Sequence, residues 1–480
     1  MKLYKKYLTP IFASLVLVGC TDYVEDINTN PHQLSINDAE SKNIFQSALL
    51  ANQYFHSTNN LRNTMLWLSQ ANGIDRQYIP LNDWNNSSAS DSDSAWRLVY
   101  VNGLPQLRIV QEKAATEKNL KSVAVMQILE AHLIGTATSL WGDIPYSAYS
   151  IASANNKPTF DKQSDIYKAI QTLLDQAIVN LTKEGAIPAS SDIYYSGNTS
   201  KWTQLAYSLK ARFYLHTKEY ANAKSNALKG INSAANDFKA IFGGTTALQN
   251  LNPFYEFLEY KRNGYMAGDG YAASILNSAS PLKRTNAKTD EAARLAYTYS
   301  GSLGSEQLNV NGLDLGTETA RFGSDASMPL VTYGEMLLII AEVDARTNLS
   351  SGVTSYNTYR ALLDSGYSIG QGNAGYDNQT FNYDPYVDAD FSNGGIENSD
   401  NVTPQNALLR EIYEERYIYF IGNYEAFTDF RRTNNLAKIT LRGAFAGTPQ
   451  RLLYSQEEIN SNPNVPSPLP KVTDKTEVNN

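Results

Sequence analysis

Two loops carry the residue types that recognise small polar ligands. In the first, Trp84 lies between Asn82-Asp83 and Asn85-Asn86-Ser87-Ser88, with Arg76 and Tyr78 shortly before it. No neighbour is apolar enough to draw this indole into a core, so it is expected at the surface. An exposed indole among amides and carboxylates suits a sugar: the ring covers the apolar C–H face of a pyranose while Asn and Asp take the hydroxyls. The second loop, Gly264 to Tyr271, offers Tyr265, Asp269 and Tyr271. Exposed aromatics also mark protein interfaces, so contact with a partner protein stands beside the ligand reading for both loops.

Other constellations suggest chemistry and read better as structure. Glu411, Glu414 and Glu415 contain a carboxylate pair of the sort a glycosidase uses. Such a pair must flank its substrate, whereas Glu411 and Glu415 fall on one helix face. Arg410, Arg416, Arg431 and Arg432 lie near in sequence, and an ion-pair network with these glutamates is the favoured reading. Asp388-Ala-Asp390 opens like a calcium loop, but Asn393 stands where the central Gly belongs and Ser399 where the bidentate Glu belongs. An EF-hand is rejected, and a looser cation site at Asp388 and Asp390 is left open. Gly370 to Gly375 spells G-x-G-x-x-G with no helix to follow, and reads as a loop rather than a nucleotide site. One Cys and four scattered His leave no multi-Cys metal centre and little for a His-based one, so no cofactor is called for.

The 480-residue chain has 40 basic against 48 acidic residues, the wrong balance for neutralising phosphates, and a nucleic-acid partner is not expected. Its one cysteine has a place of its own. Lys2, Lys5 and Lys6 precede an apolar run from Ile11 to Val18, too short to span a bilayer, and the run ends at Gly19-Cys20. Residues 1–19 read as a signal peptide, Cys20 as the cysteine of a lipobox that takes a lipid anchor, and 20–36 as a lipidated tether.

The elements that must position the two loops are mostly helices. Val125, Ile128, Leu129, Leu133 and Thr136 form one buried stripe; Ile166, Ile170, Leu174, Ala177 and Leu181 form another. Trp202, Leu205, Leu209 and Phe213 pair with Tyr220, Ala223, Ala227 and Ile231 in a tetratricopeptide-like hairpin. Helix is expected again from Leu330 to Arg346, with Glu342 and Arg346 paired on its outer face, and after Thr403-Pro404. Trp67, Trp96, Trp141 and Trp202 are assigned to the core. The expected class is mainly α, with a hairpin scaffold, long irregular insertions and a few short strands. Residues 37–480 read as one globular domain, its scaffold mainly 118–233 and 328–435 and its loop-rich ligand-binding parts mainly 56–100, 236–325 and 366–402. The tail from Asn460 reads as loop or disorder.

Several landmarks, in order and spacing, resemble the SusD/RagB-like nutrient-binding outer-membrane lipoproteins. They are Cys20, Asn28-Thr-Asn30-Pro31, Leu140-Trp141-Gly142-Asp143-Ile144-Pro145-Tyr146, Tyr333-Gly334-Glu335 through Ala341-Glu342, Glu414-Glu415-Arg416 with Phe427-Thr-Asp429-Phe430-Arg431-Arg432, and the segment from Arg451 to Asn460. Where many relatives have Asp-Pro-Arg in the middle region, this chain has only Asp290 and Arg294. The resemblance implies a helical tetratricopeptide-like fold and a surface-exposed, lipid-anchored place at the outer membrane. It also implies a SusC-type TonB-dependent transporter as partner, and a glycan or peptide as ligand. The expected function is capture of an oligosaccharide for that transporter without covalent chemistry. The alternatives are a peptide ligand, a carboxylate-dependent glycoside hydrolase, and a scaffold that binds only protein.

Overall fold

A computed structural model of the chain describes residues 40–57, 59–150, 157–243, 250–310, 320–369 and 376–480. The leader, Cys20, the tether and the Gly370 to Gly375 motif therefore lie outside the described residues. Twelve longer helices carry the fold: α1 Ser41–Phe55, α2 Asn59–Trp67, α3 Leu104–Thr116, α4 Leu120–Trp141, α5 Gln163–Asn180, α6 Thr199–His216, α7 Tyr220–Ala227, α8 Ala292–Thr298, α9 Tyr333–Thr347, α10 Leu349–Asp364, α11 Pro404–Tyr419 and α12 Glu425–Arg432. Among the described residues, strands are two to four residues long and pair only in twos. The chain is mainly α, as its periodicity predicts.

The centre is α4. It is long and apolar enough to cross a membrane by composition, yet its most apolar stretch is buried entirely within the fold. Asn119 starts it by accepting from the Ser122 N–H at 3.2 Å, which satisfies one of the free amides of the first turn. Around it pack α3, α5 and α6, and α6 turns back through residues 217–219 into α7. The second hairpin is α9 with α10, where Asn348 both ends one helix and caps the next, accepting from Ser351 N–H at 3.0 Å. The two helices touch so closely that a Cβ at Gly352 would lie 2.5 Å from the Ala345 Cα, so only glycine fits there. One contiguous apolar core runs from Phe45 to Val472 and includes Trp67, Trp96, Trp141 and Trp202, the four tryptophans assigned to it.

Buried ion pairs join these helices. Arg212 of α6 reaches Glu335 of α9 at 2.5 and 2.7 Å, and Arg432 of α12 reaches Glu342 of α9 at 2.6 Å. Glu342 is thus fully buried, contrary to its expected outer face, and serves Arg346 and Arg432 together. Leu330 and Val331 belong to a strand, 328–331, paired with 238–240, and α9 begins only after Thr332, whose hydroxyl caps it. Thr403 precedes Pro404 at the start of α11 as expected, although its side chain makes no capping bond. The last residues are not disordered: Glu477 accepts from Ser164, and the Val478 N–H donates to Gln163 Oε1 at 3.1 Å.

The glutamates of α11 are in an ion-pair network, but with other arginines than their sequence neighbours. Glu411 takes Arg284 at 2.6 Å; Glu415 takes Arg284 at 2.5 Å and Arg294 of α8 at 2.7 Å. Arg410 and Arg416 are displaced around the helix, since adjacent residues do not face each other, and pair with Asp400 and Asp429 instead. Arg431 has no carboxylate partner among the described residues. It donates to the carbonyls of Phe427, Ser139 and Gln450, and burial pulls it down to about 10.

Candidate functional site

The first candidate loop folds back on itself. The Gly73 N–H donates to Asn82 Oδ1 at 2.9 Å and Asn82 Nδ2 donates to the Gly73 carbonyl at 2.8 Å, closing residues 73–82 like a clasp. Gly73 is required here, because a Cβ would lie 1.9 Å from the Tyr78 carbonyl oxygen. The second loop joins the first through a two-residue antiparallel pair, Asn72 with Ala267 and Gly73 with Met266, extended by Ile74 N–H donating to the Tyr265 carbonyl at 2.9 Å. Two segments almost two hundred residues apart in the chain therefore form one surface.

Three of the expected residues meet there. The Tyr78 and Tyr265 rings stand edge-on at 6.0 Å between centroids, and the Arg76 guanidinium lies 5.7 Å from the Tyr265 ring. The same cluster recruits residues that sequence reasoning missed. Phe257 packs against Tyr78 at 5.2 Å, and Arg62 of α2 sits 4.1 Å over the Phe257 ring. Arg262 lies 5.7 Å from Tyr265. Beside the cluster opens a cavity of about 560 Å³ lined by Tyr54, Ser57, Arg62, Gln77, Tyr78, Phe257 and Arg262 among others. Tyr54, at the end of α1, is 51 % exposed on its wall, and Tyr260 of the adjoining turn is 52 % exposed. The volume is within the range of small-molecule sites, and aromatic faces beside guanidinium and amide donors suit a polyhydroxylated ligand. Tyr54 carries no loop signal in the sequence, since it sits near the end of a helix.

The other expected residues do different work. Trp84 is 1 % exposed, not a surface platform. Its indole N–H donates to the Ala446 carbonyl at 3.2 Å and its ring meets Phe445 edge-on at 5.2 Å, so a distant segment supplies the cover that its own neighbours lack. Asp83 caps the short turn that carries Trp84, accepting from the Asn85 N–H at 2.9 Å. Asp269 accepts from Asn72 Nδ2 at 3.1 Å and faces Arg442 at 3.6 Å, which ties the loops together. Tyr271 is half-buried near Tyr417 and Glu414, and burial pushes its hydroxyl up to about 12.

The carboxylates imagined for glycoside hydrolysis are spent on structure. Glu411 and Glu415 are buried and share Arg284 and Arg294 with Glu291, while the Tyr356 and Tyr359 hydroxyls donate to them at 2.9 and 2.7 Å. At the acidic 388–390 turn, Lys288 Nζ occupies Asp390 at 2.7 Å, and no group of three or more metal-ligating residues forms among the described residues.

The same architecture recurs in solved structures. A SusD/RagB family protein from Bacteroides thetaiotaomicron matches with a TM-score of 0.66 at 18 % identity, over 92 % of this chain and 99 % of that one. A SusD homolog from Bacteroides uniformis matches with a TM-score of 0.62 at 18 % identity, over 90 % and 98 %. A chitin-binding SusD homolog from Flavobacterium johnsoniae matches with a TM-score of 0.64 at 16 % identity, over 91 % and 99 %. No protein of curated function matches the sequence. Residues 34–454 match the SusD-like family described as starch-binding and associating with the outer membrane, and the chain belongs to that family.

Proposed function

We propose that this protein binds an oligosaccharide at the Tyr54–Tyr78–Tyr265 face and delivers it to a SusC-type TonB-dependent transporter, held at the outer membrane through a lipid on Cys20. The observation that carries the binding reading is a cavity walled by Tyr54, Tyr78, Phe257, Arg62 and Arg262, beside which the second loop pairs with the first. The family's description as starch-binding and the chitin-binding relative support a glycan over a peptide. The protein acts by binding rather than by bond cleavage, in keeping with the engagement of Glu411 and Glu415 in buried ion pairs. Lipid anchoring and the transporter partnership rest on the lipobox-like Gly19-Cys20 and on the family's association with the outer membrane.

The test is direct. Purified mature chain is titrated calorimetrically with maltohexaose and chitohexaose, and the mixtures are analysed for cleavage. Saturable binding of either one without turnover supports the proposal. Turnover, or binding only to the partner barrel, contradicts it.

A further inference from the structure

A second cavity, of about 340 Å³, opens where α8, α11 and the 238–240/328–331 strand pair come together, and none of its lining residues belongs to the Tyr54–Tyr265 face. One wall is a hydrogen-bonded chain: Tyr419 Oη lies 3.1 Å from Tyr367 Oη, and Tyr367 donates to Asp237 Oδ2 at 2.7 Å. The Tyr297 ring lines the cavity as well. At its back stands Arg321. Its Nε and Nη2 donate to the backbone carbonyls of Ile421 and Tyr419 at 2.6 to 3.2 Å, which fixes the guanidinium in place. Its Nη1 has no partner among the described residues, and no carboxylate there lies within ion-pair distance of it. Burial pulls its pKa down, with Tyr297, Tyr299 and Tyr419 acting to raise it and Arg294 to lower it, while Asp237 and Asp325 line the cavity beyond ion-pair distance of it. This contrasts with Arg284, Arg294, Arg416 and Arg432, each of which has a carboxylate within 3 Å.

A guanidinium held by two carbonyls, with no carboxylate of the described residues at ion-pair distance, is a ready partner for an anion, since charge-assisted bonds from a fixed arginine are the strong ones. Tyrosine rings and hydroxyls around it offer what a sugar ring needs. We propose that this cavity is a second ligand site that takes an acidic sugar, a uronate-type residue whose carboxylate pairs with Arg321 while its ring lies among Tyr297, Tyr367 and Tyr419. The site is independent of the reading given for the Tyr54–Tyr265 face.

The experiment titrates the purified mature chain with trigalacturonate, its neutral methyl ester and tri-glutamate, in wild type and in three variants. Arg321→Gln removes the cation. Ser368→Trp fills the cavity and leaves the guanidinium, so it decides the matter if Arg321→Gln does not fold. Tyr54→Ala disables only the other face. The expected result is saturable binding of trigalacturonate, weakened at least about tenfold by Arg321→Gln, by Ser368→Trp and by esterification, and unchanged by Tyr54→Ala. Equal binding of acid and ester, no binding of the acid, or loss through Tyr54→Ala but not Ser368→Trp would overturn the site. Tri-glutamate bound as tightly as trigalacturonate would overturn its assignment to a sugar.

Discussion

Trp84 is a core residue where its polar surroundings in the sequence suggest a surface platform. Trp84→Ala removes a buried ring and its bond to Ala446, so it should destabilise the fold by about 3 kcal/mol, measured by denaturant unfolding. A loss below about 1 kcal/mol would mean the indole is not packed as described. His132 gives a second residue-scale prediction. It is buried and stacked on His56 at 3.8 Å, with neither ring nitrogen hydrogen-bonded. Burial holds His56 down to about 3 and His132 well below its ordinary value. Both are neutral in the fold, while in the unfolded chain they take up protons below about pH 6.5. Their contribution is therefore intact above pH 6.5 and lost as pH falls toward 3, by up to about 1.4 kcal/mol per pH unit for each histidine. Glu397 and Glu414 act oppositely: burial raises them to about 7 and about 8, so the fold gains stability as they protonate. The histidine effect is thus read as a difference. Between pH 7 and 5, the stability of wild type relative to His132→Phe should fall, and equal slopes would contradict this.

At the scale of elements, Arg431 on α12 ties three segments together through the carbonyls of Ser139, Phe427 and Gln450. Arg431→Ala leaves those acceptors buried and unpaired, and should cost about 3 kcal/mol or more while leaving ligand affinity of the folded fraction near wild type. Full stability with binding lost would place Arg431 in the site. The elements also show what a sequence can disclose. The stripes of α4, α5 and the α6–α7 hairpin were legible because a helix writes its buried face at three-and-four spacing along a single segment. The strand at 328–331 was not, because its partner lies at 238–240 and two-residue to four-residue strands carry too little alternation to be seen. Trp84 fails for the same reason: its cover comes from a residue 362 positions away. Of the candidate site, Arg76, Tyr78 and Tyr265 were readable from loop composition. Tyr54, Arg62 and Phe257 were not, since they lie on separate helical segments that only the tertiary fold brings to one cavity.

For the whole molecule, the fold is a helical body whose irregular insertions are pinned by buried ion pairs, so that loops rich in Gly, Asn and Tyr hold a fixed surface. Arg284 and Arg294 anchor the 284–298 insertion to α11, and the C-terminal tail straps across α5. Cys20→Ala should leave the protein folded and move it from the carbonate-washed membrane fraction to the soluble fraction. Retention in the membrane would contradict lipid attachment at Cys20.

The central claim, that the Tyr54–Tyr78–Tyr265 face binds an oligosaccharide, is tested most directly by comparing Tyr54→Ala with wild type in calorimetric titration of maltohexaose and chitohexaose. Tyr54 is half exposed on the cavity wall, so its loss should leave the thermal midpoint essentially unchanged. The account predicts a loss of about 1 to 3 kcal/mol of binding, roughly 5- to 150-fold, for whichever oligosaccharide binds. Wild-type affinity in Tyr54→Ala, with the fold intact, would contradict it.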